Sequence, residues 1–337
     1  MSTALHTAAA WRTSVDDAPV ALNTVGGLIA IGGADGTAWL LEAATGQPRG
    51  TYLLPGGMLD VALSPDASHL AVTGPLGYGV WQVESKQALL HKSGRWSARV
   101  RWATQDRVAV ADGRTAVVLD ASGQELWRTV AAPSTVTDLA WLRDGRRLAV
   151  TAYNGVYCHE RHQAAPVTTY PYGGSHLAIA VTPNGRWICT GNQDSSIHIW
   201  RARDGAELTM SGYPQKVSHL AFDSTGRWLA ADGAPEVTVW DFSGKGPAGT
   251  TPRMLPGHDG VAALAWRPGG SGVLATGGRE GNLFLWRPAT GRPSRAMSPL
   301  RTWAPGSEIS ALAWTDPRHI VVATRDGQIS CLPVDIA

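Results

Sequence analysis

Eight times along the chain the same order of segments recurs. An apolar run often ending in Trp meets a Pro, Asp or Gly turn, a second apolar run, a polar Gly turn, and a third run that often closes on Trp. The clear copies are 139–160, 179–200, 220–240, 264–286 and 312–332; weaker ones lie at 61–81 and 100–120, and the weakest at 20–41. The third-run anchors Leu41, Trp81, Leu119, Tyr157, Trp200, Trp240, Trp286 and Leu332 are roughly 38 to 46 residues apart, matching the ~40–45 of a four-stranded propeller blade. Helical repeats of this length need apolar residues at i, i+3, i+4 and i+7, which are missing here. The runs are short, β-branched and aromatic-rich, and are bounded by Gly, Pro, Asn and Asp, as strands with tight turns require.

Each copy thus supplies three strands, a, b and c, followed by a less apolar outer strand d such as 124–130 or 253–256. The expectation is an all-β β-propeller of eight blades, each of four antiparallel strands, with seven blades as the alternative. No linker-like break in composition divides residues 1–337, which read as one repeat domain. The last copy lacks its own outer strand, and the amino terminus offers one. Residues 9–22 align with 125–139 so that Trp11 matches Trp127 and Val20 matches Val136. Residues ~5–14 are therefore expected at the outer edge of the last blade, where they remove a free sheet edge.

Fifteen Trp against three Phe follow from the repeat. Trp102, Trp141, Trp266 and Trp314 end strand a, Trp187 and Trp228 sit in strand b, and Trp200, Trp240 and Trp286 end strand c, where large flat side chains fill the wedge between twisted sheets. The formal charge of +2 provides no basic stripe for nucleic acid or acidic lipid. Cys158, Cys189 and Cys331 fall within strands at no metal-like spacing and read as small buried hydrophobes in a reducing compartment. Neither a signal-peptide pattern nor an apolar run long enough to span a bilayer is visible, so a soluble, cytoplasmic protein is expected.

These residues resemble the WD40-repeat family. Its repeat carries Gly-His before strand a, Ser/Thr in b, Asp in the b–c turn and Trp-Asp closing c, and the resemblance implies a hydrogen-bonded His, Ser/Thr, Asp, Trp tetrad inside a blade. The 257–286 copy comes nearest, with His258, Thr276, Glu280 at the Asp position, and Trp286; Thr190, Asp194 and Trp200 keep three of the four parts. Asp35 and Asp326 keep the turn residue, and Trp240-Asp241 is the sole literal Trp-Asp pair. One stretch, 118–127, is similar to the tryptophan-docking motif of quinoprotein-like propellers, but one residue short.

Catalytic chemistry finds little support. His159-Glu160-Arg161-His162 is one residue short of a zinc motif and lies at a strand end, where the two His do not share a helical face, so it reads as a solvated turn. His198 reads as a surface or inter-blade hydrogen-bonding residue. The Gly pairs open no helix with Gly-Lys-Ser/Thr, and glycine at blade turns needs no ligand to explain it. Asp60, Asp138 and Glu308 lie near strand-a starts but are not regularly repeated. No catalytic, cofactor-binding or metal-ligating residue is nominated.

The resemblance also implies that the d–a and b–c loops share one docking face. Carried over by position, the b–c turns place Tyr153, Gln193, Arg279 and Arg325 there, and the d–a loops place Trp96, His176, Lys216, Asp259 and Glu308. Trp96, Tyr153, Arg279 and Arg325 are of the types enriched at binding hot spots. The expected function is a non-enzymatic scaffold, monomeric on its own, that presents this face to a protein or peptide and not to nucleic acid or membrane. The alternatives are a propeller enzyme, a quinoprotein-like cofactor binder, or a sensor of a small ligand or metal.

Overall fold

The computed structural model describes residues 8–104, 106–142, 145–233 and 235–336. Apart from a single 3-10 turn at Pro288–Thr290, the regular elements among them are strands, arranged as antiparallel sheets in chain order. The first sheet comprises Pro19–Val25, Leu28–Gly33, Thr37–Glu42 and Pro48–Leu53; the second spans 60–93 and the third 97–128. The fourth has six strands between 138 and 210, the fifth spans 220–255 and the sixth 261–303. The seventh holds Ile309–Asp316, His319–Thr324 and Gln328–Pro333, with Trp11–Ser14 as its outer strand. The all-β propeller expectation holds. The amino-terminal segment lies where the alignment put it, for Ala10 donates its N–H to the Cys331 carbonyl at 2.8 Å. Residues 5–7 of that expected strand lie outside the described residues.

The blade count needs correction. Counted as hydrogen-bonded sheets among the described residues, the propeller has seven blades, the alternative number, and not eight separate ones. The copies at 139–160 and 179–200 run together in the six-stranded fourth sheet because 147–160 and 168–181 each hold two repeat segments: 147–160 folds back at Asn154 and Gly155, both at positive φ, so that Arg147 meets Glu160, and 168–181 turns at Gly174. Val156 pairs with Tyr170 and Tyr157 with Thr169, but Tyr153 also pairs with Ser175. That bridge, after a register shift, links the two copies across Gly173 and Gly174.

By internal contacts the chain forms two compact units, residues 11–176 and residues 1–10 with 177–337. In the 11–176 unit, one apolar cluster joins the first and second sheets through Leu40, Leu54, Val61 and Leu70, and another joins the second and third through Val80, Val100, Val110 and Leu119. In the other unit, Trp228, Val239, Leu274 and Trp286 join the fifth and sixth sheets, and Leu285, Trp303, Ile309 and Ile320 join the sixth and seventh. The b and c strands are covered on both faces and so read as continuous apolar runs, whereas outer strands such as Ala88–Ser93 stay largely exposed.

The strand-a tryptophans do more than fill wedges. Trp102 donates its indole N–H to the Ala62 carbonyl at 3.0 Å and Trp141 to Arg101 at 2.8 Å. In the other unit Trp266 donates to Ala221 at 2.9 Å and Trp314 to Ala265 at 3.1 Å. Each bond ties an inner strand to the inner strand of the preceding repeat, so one residue type supplies both buried area and register.

Candidate interaction surface

The sixth sheet shows how a blade fixes its loops. Trp286 Nε1–H donates to Thr276 Oγ1 at 2.9 Å, Thr276 Oγ1–H donates to His258 Nε2 at 2.8 Å, and His258 Nδ1–H donates to Glu280 Oε1 at 2.6 Å. The chain of donors requires a neutral imidazole carrying its proton on Nδ1. Burial lowers the His258 pKa, against the opposing pull of Glu280 and Asp259, and so favours that neutral form. The Glu280 carboxyl is itself lowered: burial alone would raise it, but the His258 hydrogen bond and backbone donors outweigh that. The predicted set of His258, Thr276, Glu280 and Trp286 is thus assembled, with Glu serving where Asp is usual.

The set joins two loops. His258 belongs to the d–a loop and Glu280 to the b–c turn, and Glu280 Oε2 also accepts the Asp259 N–H at 3.1 Å. The exposed Asp259 and Arg279 are chain neighbours of these buried groups, and the Arg279 N–H meets the Gly260 carbonyl at 2.9 Å. In the seventh sheet Arg325 donates its N–H to the Glu308 carbonyl at 2.8 Å, and its guanidinium meets the Glu308 carboxylate at 3.1 Å. Thr324 caps that turn through Asp326 at 2.6 Å. Lys216 and Gln193 are also exposed in this unit. Next to Lys216, the Gln215 N–H donates to the Gly233 carbonyl at 2.9 Å.

In the 11–176 unit Trp96 is 49% exposed and Tyr153 is 47% exposed. Their backbones are held by Gly113 N–H to Trp96 O and by Tyr153 N–H to Ser134 Oγ, both at 2.8 Å. His176 is a correction. Its side chain is fully buried, with Nε2 3.0 Å from the Tyr172 carbonyl, because the ring folds back across the turn at Gly174 onto Tyr172, 5.9 Å between ring centroids. The surface therefore loses His176.

The partial set at Thr190, Asp194 and Trp200 is placed less simply. Thr190 and Trp200 are fully buried, and Asp194 accepts from Ser196 Oγ at 2.6 Å inside the turn. His198 is buried and bonds across to the next strand, to Thr209 at 2.9 Å and Glu207 at 3.2 Å. His159 is also buried, not solvated as expected, while Glu160 pairs with Arg147 and only Arg161 and His162 occupy the exposed turn.

Several groups escaped the sequence reading. Tyr213 takes the His position of the fifth sheet: its hydroxyl lies 2.7 Å from Thr238 Oγ1 and accepts the Trp240 indole N–H at 2.9 Å. The signal was spacing, since Tyr213 precedes Trp240 by 27 residues and His258 precedes Trp286 by 28. Arg101 was also missed. It bridges Asp60 and Asp138, and although burial opposes its charge, those two carboxylates hold its pKa up. Asp60 and Asp138, near the strand-a starts, thus face a cation, and among the described residues no group of three His, Cys, Asp or Glu could hold a metal. The three cysteines are buried and free, and burial pushes Cys158 up to about 12 and Cys331 to about 11, which keeps these thiols protonated.

Comparison with known proteins follows the same lines. Residues 165–201 and 249–287 match the WD40 family, "WD domain, G-beta repeat", and these stretches contain the partial and the complete sets. "Cell division cycle 20.5, cofactor of APC complex" from Arabidopsis thaliana is 27% identical over 64% of this chain and 49% of its own length. "WD repeat-containing protein slp1" from Schizosaccharomyces pombe is 28% identical over 66% of this chain and 45% of its own. The chain spans about half the length of the curated relatives it matches. Among solved structures, the computationally designed Ika8 protein superposes with a TM-score of 0.77 at 20% identity, covering 95% of this chain and 98% of that one, a likeness of fold alone. No helix of the structure is long and apolar enough to cross a membrane. With one tetrad formed and its sheets in order, the chain is a β-propeller that carries WD40 repeats at 165–201 and 249–287.

Proposed function

We propose that this propeller is a non-enzymatic scaffold that presents its b–c and d–a loops to a protein or peptide partner. The observation that carries this reading is the backbone bond between b–c turn and d–a loop, donated by the turn as Gly113 to Trp96, Arg279 to Gly260 and Arg325 to Glu308, and by the loop as Gln215 to Gly233. Loops fixed in this way hold exposed Trp and Arg side chains in place before a partner arrives, which lowers the ordering cost of binding. His258, Glu280, His198 and Arg101 are spent on internal bonds, as a structural role requires. Relatives described as cofactors of the APC complex act with other proteins, and a protein partner is proposed here on that likeness. A monomer in a cytoplasmic setting belongs to the same reading.

The test is affinity capture from the source cell with mass spectrometry, comparing the wild type with Arg279→Glu combined with Arg325→Glu. Loss of a specific partner with an unchanged melting temperature supports the reading; unaltered capture removes this face from it. A stoichiometric metal or a quinone absorption band in the purified protein would overturn the scaffold reading itself.

A further inference from the structure

Within the 11–176 unit a cavity of about 110 Å³ opens between the second and third sheets, lined by Gly77, Lys92, Ser93, Arg95, Asp112 and Arg128. Three of these six are cations. Arg128 already pairs with Glu125 through two hydrogen bonds, but Lys92 and Arg95 are exposed and make no ion pair among the described residues. Asp112 is 4% exposed, and its carboxylate has no hydrogen bond or ion pair to any described residue. A buried carboxyl facing a cavity without a partner is costly unless something completes its bonding. Burial pushes the Asp112 pKa up, against the pull of Arg95, Arg128 and Lys92. The cavity thus holds, beside this carboxyl, two exposed cations with no ion pair among the described residues to compete for an anion.

Its rim is apolar. Leu76 precedes Gly77 and is 57% exposed, and Trp96 follows Arg95 and is 49% exposed. Gly94 N–H to Leu76 O and Gly113 N–H to Trp96 O, both 2.8 Å, fix both rim loops. Gly77 sits at φ 146, and a Cβ there would fall 1.9 Å from the Lys92 carbonyl, so the pairing of these two strands in the second-sheet wall depends on glycine.

We propose that this cleft receives the oxyanionic side chain, carboxylate or phosphate monoester, of a partner peptide whose neighbouring apolar residue lies against Leu76 and Trp96. The assignment rests on the scaffold reading above and gives the partner its chemistry. Excess positive charge argues against a metal ion or ammonium group, and exposed Trp and Leu beside the charges argue for a peptide over a free anion.

The experiment is fluorescence anisotropy with short labelled peptides that carry Glu, phosphoserine or Ser at one position and Leu or Ser two residues later. The Glu or phosphoserine peptide with Leu should bind the wild type at least about tenfold tighter than its Ser counterpart, and the stronger of the two identifies the oxyanion. Lys92→Glu with Arg95→Glu should abolish that difference, and Trp96→Ala should weaken the Leu peptides about fivefold while sparing those with Ser. All three positions are exposed, so the melting temperature should stay within a degree or two and report intact folding. Equal binding of the charged and Ser peptides, or a preference that survives Lys92→Glu with Arg95→Glu, overturns the proposal. Saturable binding of inorganic phosphate with no peptide preference overturns it as well, leaving a free-anion site. If the peptides fail while capture of a native partner still depends on Arg279 and Arg325, the scaffold reading stands and only this cleft assignment falls.

Discussion

The sixth and third sheets follow one four-strand plan and hold it together by different means. The sixth runs a polar chain through its interior, from Trp286 by Thr276 and His258 to Glu280. In the third, Leu119 stands where Trp286 stands, and Val108, Val110, Val117 and Val118 fill the interior with aliphatic side chains at 1% exposure or less. Yet both close the b–c turn onto the d–a loop with the same backbone bond, Gly113 to Trp96 in one and Arg279 to Gly260 in the other. The polar chain is therefore not what brings the loops together. It selects one arrangement of side chains beneath them, while burial supplies the stability in both sheets.

The largest effects should come from emptying each interior. Trp286→Ala removes a fully buried side chain and should cost about 3–5 kcal/mol, and Leu119→Ala about 2–5 kcal/mol, both read as a lower denaturant midpoint. The two sheets should respond alike, since each loses packing. If Trp286→Ala proved nearly neutral while Leu119→Ala did not, the sixth sheet would be held by its polar chain after all.

Next in size is the polar chain itself. His258→Ala strands the Thr276 hydroxyl and should cost about 1–3 kcal/mol, a loss with no counterpart in the third sheet. Acid should act on it in the same place. His258 is held below its ordinary value in the fold, so its contribution is fully present above the unfolded imidazole value of ~6.5 and is lost as pH falls through the lower folded value. The depressed Glu280 adds a loss further into acid, below its unfolded value of ~4.3. Asp112 in the third sheet has the opposite sign: its folded pKa is raised, so lowering the pH through that range relieves it. Melting temperatures taken between neutral pH and about pH 5 should fall for the wild type, and the gap to His258→Ala should narrow.

How far the sequence revealed all this depended on what kind of signal each feature left. The repeat itself was plain, because b and c strands buried on both faces must be written as apolar runs between Gly-rich turns. The complete set at 258–286 was equally plain, because each side chain has one role at a fixed spacing. Tyr213 was not, because a phenol standing in for an imidazole breaks the expected residue type while keeping its position. The count of eight separate blades failed at Gly173 and Gly174, where Tyr153 pairing with Ser175 joins the segments on either side into one sheet. His176 failed with it, since its ring turns back onto Tyr172 instead of outward. The cleft at Asp112 left no linear trace, because its cations and acid come from two sheets.

The inter-sheet tryptophans should sit lower still and treat both regions alike. Trp102→Phe in the third sheet and Trp314→Phe in the seventh keep an aromatic ring but leave the Ala62 and Ala265 carbonyls without their donors. Each should cost about 0.5–1.5 kcal/mol in chemical denaturation, the worth of a single hydrogen bond. A markedly larger loss at one of the two would show that this shared tie is not equivalent around the repeats.

The smallest expected change in stability belongs to the surface, and it makes the sharpest separation between holding the fold and using it. Arg279 and Arg325 are exposed, and the Arg325–Glu308 pair at 3.1 Å is of a kind worth little in water. Arg279→Glu with Arg325→Glu should therefore alter stability by no more than about 0.5 kcal/mol. The backbone bonds to Gly260 and Glu308 do not involve the side chains, so the loops should keep their positions. Partner capture, by contrast, should drop sharply, because reversed charge at two fixed positions repels whatever the arginines attract. If capture and stability fell together, the arginines would be part of the scaffold, and the distinction between a rigid frame and a reading surface would fail in the sixth and seventh sheets.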